Sequence, residues 1–260
     1  MKTRNFLFYF LVLTASLLLF LFIFLPIVKI IGAGGIGFIT DGFKDKELLN
    51  SVYLTIYTSL FATFLGLIFG IPTGYILAKY DFRFKTIIEA IIDIPVVIPH
   101  TAAGIALLTI LGRHFFLGKI FNSIGIKFIN ESAGIIVAMV YVSVPFLINQ
   151  VKEGFKNLDP EIENVARSLG ANSFNTFVRV LIPSVKSNIL TGSIMMWARG
   201  ISEFGAIIII AYNPKIISTL IYERFETAGL RSSSPAVAFL LFIIILVFLL
   251  LRLISNKKRR

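Results

Sequence analysis

The sequence predicts an all-α, polytopic membrane protein with six transmembrane helices, and three observations support this fold class. Hydrophobic residues make up 57% of the 260 residues and charged residues only 15%, whereas charged residues reach about 25% in soluble domains. The mean hydropathy is +0.88. Several apolar runs are long enough to cross a hydrocarbon core about 30 Å thick. We therefore expect a single transmembrane domain over residues 1–260, in a multi-pass protein of the cell membrane.

The six predicted spans are apolar runs separated by polar or basic connections. The first run, Phe6–Val28, has 23 residues. Because this exceeds the roughly 7–15 apolar residues of a signal peptide, we interpret it as an uncleaved helix. The predicted spans are 6–28, 52–78, 87–111, 133–150, 185–211 and 235–251.

The distribution of basic residues predicts the orientation of the spans. With the N-terminus in the cytoplasm, inner segments hold fifteen of the 25 Lys and Arg residues, outer segments hold nine, and Arg199 lies within a span. Cytoplasmic connections are enriched in Lys and Arg, so this bias predicts that both termini are cytoplasmic. Since the cations flank apolar spans, lipid headgroups account for the net charge of +11, and we expect no nucleic-acid partner.

The connection between the fourth and fifth predicted spans, residues 159–183, is the longest amphipathic passage in the chain. Asp159 is a suitable N-cap for a first short helix, and Gly170 follows its apolar positions where a left-handed residue commonly ends a helix. Asn172 or Ser173 can cap a second helix, which ends where a proline breaks it. The orientation above places this connection in the cytoplasm. The alternative interpretation is an amphipathic segment lying on the membrane surface.

Two ionisable residues lie deep inside the fifth predicted span, away from Lys186 at its start. Arg199 and Glu203 are four residues apart, so they can pair on one face of a helix. Charged groups within spans are costly and usually face protein or a water-filled path. The pair therefore either fastens this helix to its neighbours or belongs to a transport pathway.

The third predicted span combines the acidic residue Asp93 with two prolines that follow it. Asp93 is followed by Pro95 and Pro99, which predict a kinked helix. Broken helices at membrane depth are tolerated where they line a cavity, and a helix N-terminus at His100 and Thr101 would suit an anion. A packing kink without a ligand is the alternative. The candidate pathway or gate residues are His100, Thr101, Arg199, Ser202 and Glu203.

The sequence lacks the motifs of a hydrolase or an ATPase. There are two isolated histidines and no cysteine, and we find no zinc-binding HExxH, no GxSxG elbow and no phosphate-binding loop. Asp93 and Glu203 could form a carboxylate pair, but Arg199 is a simpler partner for Glu203. We therefore expect no catalytic residue, no metal site and no cofactor in this chain.

The 159–183 connection resembles the loop signature of the membrane subunits of ATP-binding-cassette importers. The matching positions are Ala166, Gly170, Val180, Ile182 and Pro183. The glutamate of the family pattern is replaced by Asn164, with Glu163 beside it. In that family the loop is a coupling helix that docks into a cytoplasmic ATPase. The resemblance implies that Glu163, Ala166, Gly170 and Pro183 couple this chain to such a subunit.

Four further stretches resemble the molybdate/tungstate branch of these permeases, which is related to sulfate permeases. They are residues 93–108, 144–155, 197–206 and 219–225. The resemblance implies a permease that passes a tetrahedral oxyanion from an external binding protein into the cytoplasm by alternating access. It also implies a second permease copy and two ATP-binding subunits that hydrolyse the ATP. The alternatives are a sulfate or thiosulfate permease, a stand-alone ion-coupled transporter and, with less support, a membrane-embedded enzyme.

Overall fold

The computed structural model describes residues 2–35 and 37–257, with side chains over 8–35 and 37–246. Every regular element in this part of the chain is helical, which confirms the all-α class. Lys258, Arg259 and Arg260, which enter the count of inner cations, lie outside the described residues. The helices are α1 Lys2–Ala33, α2 Phe38–Lys44, α3 Lys46–Lys79, α4 Lys85–Val97, α5 His100–Leu111, α6 Phe116–Ser123, α7 Ser132–Lys156, α8 Pro160–Ser168, α9 Ser173–Thr176, a π-helical segment Phe177–Leu181, α10 Ile182–Ser184, α11 Lys186–Ile201, α12 Gly205–Ile210 and α13 Ile217–Lys257.

Four described helices are long and apolar enough to cross a membrane. They are α1, α3, α7 and the part of α13 up to Leu246, and they contain the first, second, fourth and much of the sixth predicted spans. α13 begins at Ile217, well before the predicted start at residue 235, because its first turns are helical but too polar for a hydropathy signal. Its backbone leaves the helical region at Gly229, with φ 68° and ψ −164°. A total of six spans stays a prediction.

The third predicted span consists of two helices with a sharp bend between them. The helix direction bends by 116° between α4 and α5. Ile98 between them has φ −64° and ψ 140°, an extended conformation that the following Pro99 favours because its ring disfavours helical geometry in the preceding residue. The predicted kink is confirmed, and α5 begins directly at His100.

The fifth predicted span, 185–211, is not one continuous helix, and this corrects the expectation from hydropathy. α11 ends at Ile201 and α12 begins at Gly205. The Glu203 side chain accepts a hydrogen bond from the Ala206 backbone N–H at 2.8 Å. A carboxylate that satisfies an N–H in the first turn of a helix stabilises a new helix start at that point. The break therefore coincides with the acidic residue.

The described chain divides into two compact units. The first combines the described residues up to Asn50 with those from Leu220 onward, and in it Arg224 Nη2 lies 2.7 Å from Asp45 Oδ2. The second, Ser51–Thr219, has two buried apolar clusters. One cluster includes Leu107, Met139 and Ile207 of α5, α7 and α12. The other includes Val151, Leu181 and Met196 of α7, the π segment and α11.

Candidate functional site

Residues 159–183 form two short helices joined by a tight turn, as the sequence predicts. Asp159 Oδ1 accepts the Glu161 backbone N–H at 2.9 Å. At the other end of α8, Gly170 has φ +88°. The Gly170 N–H donates to the Arg167 carbonyl and the Ala171 N–H to the Ala166 carbonyl, at 2.9 and 3.1 Å. These two bonds form a Schellman motif, which needs a left-handed residue that only glycine adopts without strain.

The second helix of this loop is capped by Asn172, and its turns become wider, as a π-helix, before Pro183. Asn172 Oδ1 accepts the Asn175 N–H at 2.8 Å. The π-helical segment Phe177–Leu181 follows, and the chain then continues helically through Pro183 as α10. Proline lacks an N–H, and its ring crowds the carbonyl four residues earlier, so wider turns before Pro183 are the expected response. Pro183 therefore reshapes the helix, whereas the sequence suggested that it would end it.

One side of the loop is apolar and exposed. Val165, Leu169, Phe174 and Val178 are 57%, 84%, 72% and 41% exposed, and we call these four residues the outer loop surface. A shallow groove beside α8 is lined mainly by apolar residues that include Val165 and Leu169. Monomeric proteins seldom expose such a cluster unless it binds something. Of the apolar residues of α8 and its C-cap, Ala166 is buried whereas Val165 and Leu169 are exposed, so the apolar side of this helix is only partly turned toward the protein.

Glu163 faces the opposite way and anchors α8 to the end of a membrane helix. Its side chain is only 7% exposed, and its two carboxylate oxygens lie 2.5 Å from Lys79 Nζ and 2.7 Å from Arg167 Nη2. Next to Lys79, the Lys85 ammonium donates to Asp81 at 2.7 Å, and this hydrogen bond lowers the pKa of Asp81. Sequence reasoning placed Glu163 in the loop but missed Lys79, since no local pattern links the two residues.

Aromatic rings also join the loop to the membrane helices. The Phe177 ring centroid lies 4.9 Å from that of Tyr75 on α3 and 6.2 Å from that of Phe155 on α7. The Tyr75 and Phe155 rings meet edge to face at 5.2 Å, a favourable arrangement for aromatic pairs. The loop is therefore packed against the ends of two long helices.

The second candidate site lies at the break between α11 and α12. Arg199 Nη2 is 2.9 Å from Glu203 Oε2 and 2.5 Å from His100 Nε2. Glu203 is fully buried, and the Arg199 side chain is 21% exposed. The same Arg199 nitrogen lies 3.2 Å from His100 Nδ1, which is itself 3.8 Å from Glu203 Oε2. One guanidinium and one carboxylate thus share a site with the His100 imidazole.

Close backbone packing brings His100 to this ion pair. A Cβ on Gly205 would lie 2.7 Å from His100 Cβ, and a Cβ on Gly104 would lie 2.7 Å from the Ala206 carbonyl oxygen. Both distances are shorter than real Cβ contacts allow, so the approach of α5 to α12 depends on glycine at both positions. The breaks in the third and fifth predicted spans therefore meet.

The remaining pathway candidates flank the ion pair. Thr101 and Ser202 are exposed, and Ser202 Oγ lies 3.4 Å from Arg199 Nη1. Asp93 is engaged separately, because its Oδ1 accepts a hydrogen bond from Asn149 Nδ2 at 2.8 Å. The structure therefore groups His100, Arg199, Ser202 and Glu203 through direct contacts, and Asp93 has its own partner on α7.

Comparison with known proteins identifies the family. Residues 70–260 match the family described as binding-protein-dependent transport system inner membrane component. The molybdate/tungstate transport system permease protein WtpB of Methanocaldococcus jannaschii is 43% identical over 243 residues, which cover 94% of this chain and 95% of the relative. A probable sulfate transport system permease protein cysT of Chlorokybus atmophyticus is 34% identical over 221 residues, covering 82% of this chain and 77% of the relative.

A solved structure supports the same fold. The crystal structure of a bacterial ABC transporter involved in the import of the acidic polysaccharide alginate contains a chain with a TM-score of 0.71 and 18% identity, covering 99% of this chain and 96% of that one. At that identity the likeness concerns the fold alone. Together with the sequence matches, it identifies a multi-pass integral membrane protein that transports rather than catalyses. The chain belongs to the family of binding-protein-dependent transport system inner membrane components and is the permease subunit of an ATP-binding-cassette importer.

Proposed function

We propose that this permease passes a tetrahedral oxyanion, molybdate or tungstate, from an external binding protein to the cytoplasm. The observation that carries the proposal is the 43% identity over 94% of the chain to a relative named as a molybdate/tungstate permease. Sulfate is the second candidate, because a relative named as a probable sulfate permease is 34% identical. Both candidates are tetrahedral dianions, so the same kind of path can serve either.

The proposed topology has six spans, both termini in the cytoplasm and a single transmembrane domain in the plasma membrane. It takes the bent pair α4–α5 as the third span and the broken pair α11–α12 as the fifth. The excess of fifteen inner over nine outer Lys and Arg residues supports this orientation. The functional unit is two permeases, two cytoplasmic ATP-binding subunits and one external binding protein, surrounded by membrane lipid.

The outer loop surface is the proposed contact with the ATPase. Its apolar side chains would otherwise be exposed to water, which favours contact with another protein surface. The backbone of the loop is held in shape by the Asp159 and Asn172 caps and the Gly170 turn. In this arrangement Ala166 and Pro183 shape the loop. Glu163 lies on the buried side of α8, and its ion pair with Lys79 connects α8 to the end of α3.

Coupling follows from the way the loop is attached. ATP binding draws the two ATPases together, and their surfaces carry the docked loops with them. The Glu163–Lys79 bridge and the Tyr75–Phe155–Phe177 ring cluster transmit the displacement to α3 and α7. For transport to be driven, the nucleotide must bind one conformation of the assembly more tightly than the other.

The proposed anion path passes the ion pair at the α11–α12 break. The partly exposed Arg199 guanidinium can donate hydrogen bonds to a dianion, and the Glu203 carboxylate offsets its charge, so the anion is not held firmly. This suits conduction, which requires that the ion can leave as well as enter. The hydroxyls of Thr101 and Ser202 and the uncapped N-terminus of α5 at His100 supply further donors.

Reconstitution tests the substrate and the energy source together. The permease, its ATPase and its binding protein are placed in liposomes, and uptake of tungstate, molybdate and sulfate is measured with and without ATP. We expect uptake only with ATP and binding protein, and suppression of tungstate uptake by molybdate but not by equal sulfate. Uptake by the permease alone, without nucleotide, would instead identify a stand-alone ion-coupled transporter.

A matched pair of substitutions tests the docking surface. Leu169→Glu places a charge on a side chain that is 84% exposed, so the permease should fold but lose its ATPase partner during co-purification. Asn157→Glu adds the same charge at an exposed residue at the end of α7, outside the outer loop surface. It should leave the complex intact. Equal recovery of the ATPase with both variants would reject the assignment.

A further inference from the structure

The connection between α5 and α7 contains a short helix that the transport mechanism does not use. Only residues 112–115 separate the end of α5 from the start of α6. Both α7 and the bent pair that contains α5 are apolar enough to cross a membrane. In the topology proposed above, on which this inference rests, the connection joins two consecutive spans, so α6 lies close to one membrane surface.

Packing determines which side of α6 faces the protein. A Cβ on Gly118 would collide with the Gly112 carbonyl oxygen, so this side of α6 lies directly against the end of α5. The Phe121 ring meets the buried Phe128 ring edge to face, with centroids 5.2 Å apart. α6 therefore has a fixed rotation about its axis.

The other side of α6 is apolar and exposed. Phe116, Ile120 and Ile124 are 77%, 46% and 67% exposed. Phe116 and Ile120 are four residues apart and lie on one face of α6, since an α-helix turns about 100° per residue. Ile124 follows them at the C-cap of the helix. We call these three residues the α6 stripe. Lys119 and Asn122 are also exposed and lie on the polar side of the same helix.

The charges around the α6 stripe have one sign. Arg113, Lys119 and Lys127 are exposed, and residues 112–130 include no Asp or Glu, Glu131 being the next acidic residue. A helix with an apolar face, a basic border and a position at a membrane surface has the features of an interfacial membrane-binding element. Basic side chains at that depth attract anionic lipid headgroups.

We propose that α6 lies in the headgroup region of the membrane, with the α6 stripe among the acyl chains and Arg113, Lys119 and Lys127 on anionic headgroups. A lipid surface is favoured over a protein partner because lipid is always present beside the spans. Anionic lipid also matches both features of this segment, since its acyl chains suit the α6 stripe and its headgroups suit the three cations. In this position α6 anchors the C-terminal end of α5. The first residue of α5, His100, contacts Arg199.

Site-specific labelling tests the proposal in the assembled transporter. The chain has no cysteine, so Ile120→Cys and the control Asn122→Cys each give the permease one thiol for an environment-sensitive fluorophore. The transporter is placed in phosphatidylcholine vesicles with phosphatidylglycerol, and brominated lipids serve as quenchers. We expect quenching at position 120 to exceed that at position 122 at least about threefold, before and after addition of the binding protein.

The basic border is tested by removing charge. Lys119→Gln with Lys127→Gln should lower the preference of the labelled site for brominated phosphatidylglycerol over brominated phosphatidylcholine by about fivefold per cation. Lys44→Gln, at an exposed lysine on α2, should leave that preference unchanged. Three results would each overturn the proposal. They are a lack of lipid quenching at position 120, shielding of the fluorophore from water only after the binding protein is added, and an unaltered headgroup preference in the double variant.

Discussion

Removing the charge of Glu203 is the most informative perturbation of the ion pair at the α11–α12 break. Glu203→Gln keeps the shape of the side chain and an oxygen that can accept the Ala206 N–H, now at 2.8 Å. The variant leaves Arg199 without its counter-charge. Loss of one partner from a buried pair costs about 3–5 kcal/mol. Because the Arg199 side chain is 21% exposed, we expect a value near the lower end.

The corresponding fall in melting temperature is about 10 °C, since about 1 kcal/mol shifts the midpoint by about 2–4 °C in a chain of this size. Tryptophan or dye fluorescence during heating of the purified transporter measures it. The double variant Arg199→Gln with Glu203→Gln should recover at least half of the loss, because two amides can hydrogen-bond without an isolated charge.

Uptake in the double variant then separates the two roles of the pair. If the pair only fastens the helices, recovery of stability should restore ATP-driven uptake of tungstate as well. If Arg199 also contacts the anion, stability returns while uptake stays at least about tenfold low. Our reasoning fails if Glu203→Gln has the melting temperature of the wild-type protein, or if the stability losses of the single variants Arg199→Gln and Glu203→Gln simply add in the double variant.

Three further substitutions test the loop and the helix contacts. Gly170→Ala places a Cβ on a residue with φ +88°. The variant should lose about 1 kcal/mol of folding stability and show a lower rate of ATP-driven uptake. Unchanged uptake would argue against a fixed turn. Glu163→Gln should reduce the stimulation of ATPase activity by the binding protein, because it weakens the bridge to Lys79. The matched Glu153→Gln, at an exposed residue of α7 away from the groove beside α8, should not. Gly104→Ala places a Cβ 2.7 Å from the Ala206 carbonyl and should lower thermal stability, and Gly32→Ala, with open space around it, serves as the control.

Most of the loop could be predicted because its determinants are local. Asp159, Gly170 and Asn172 each act within one turn of their own helix, so spacing alone indicated their roles. The kink before His100 was predictable for the same reason, since proline acts on its own and the preceding residue. The exposure of Val165 and Leu169 was not predictable. The spacing of apolar residues shows which of them share one face of a helix, but it does not show whether that face packs against the protein.

The fifth predicted span shows where hydropathy stops being sufficient. Residues 185–211 are apolar enough to suggest one helix, but a new helix begins at Gly205, where the Glu203 carboxylate accepts the Ala206 N–H. An acidic residue within a span can either pair along a continuous helix or cap a new one, and both choices give the same composition. The choice depends on whether a neighbouring helix can approach, which here requires Gly104 and Gly205.

By itself the sequence determined the helical class, most of the membrane-crossing segments and the capped loop, because run length and capping depend on residues close together in the chain. The tertiary structure decided which distant residues meet. Lys79 with Glu163, and His100 with Arg199 across 99 positions, are contacts between separate helices. Their formation depends on the packing of whole helices against one another, and no local pattern in the chain encodes it.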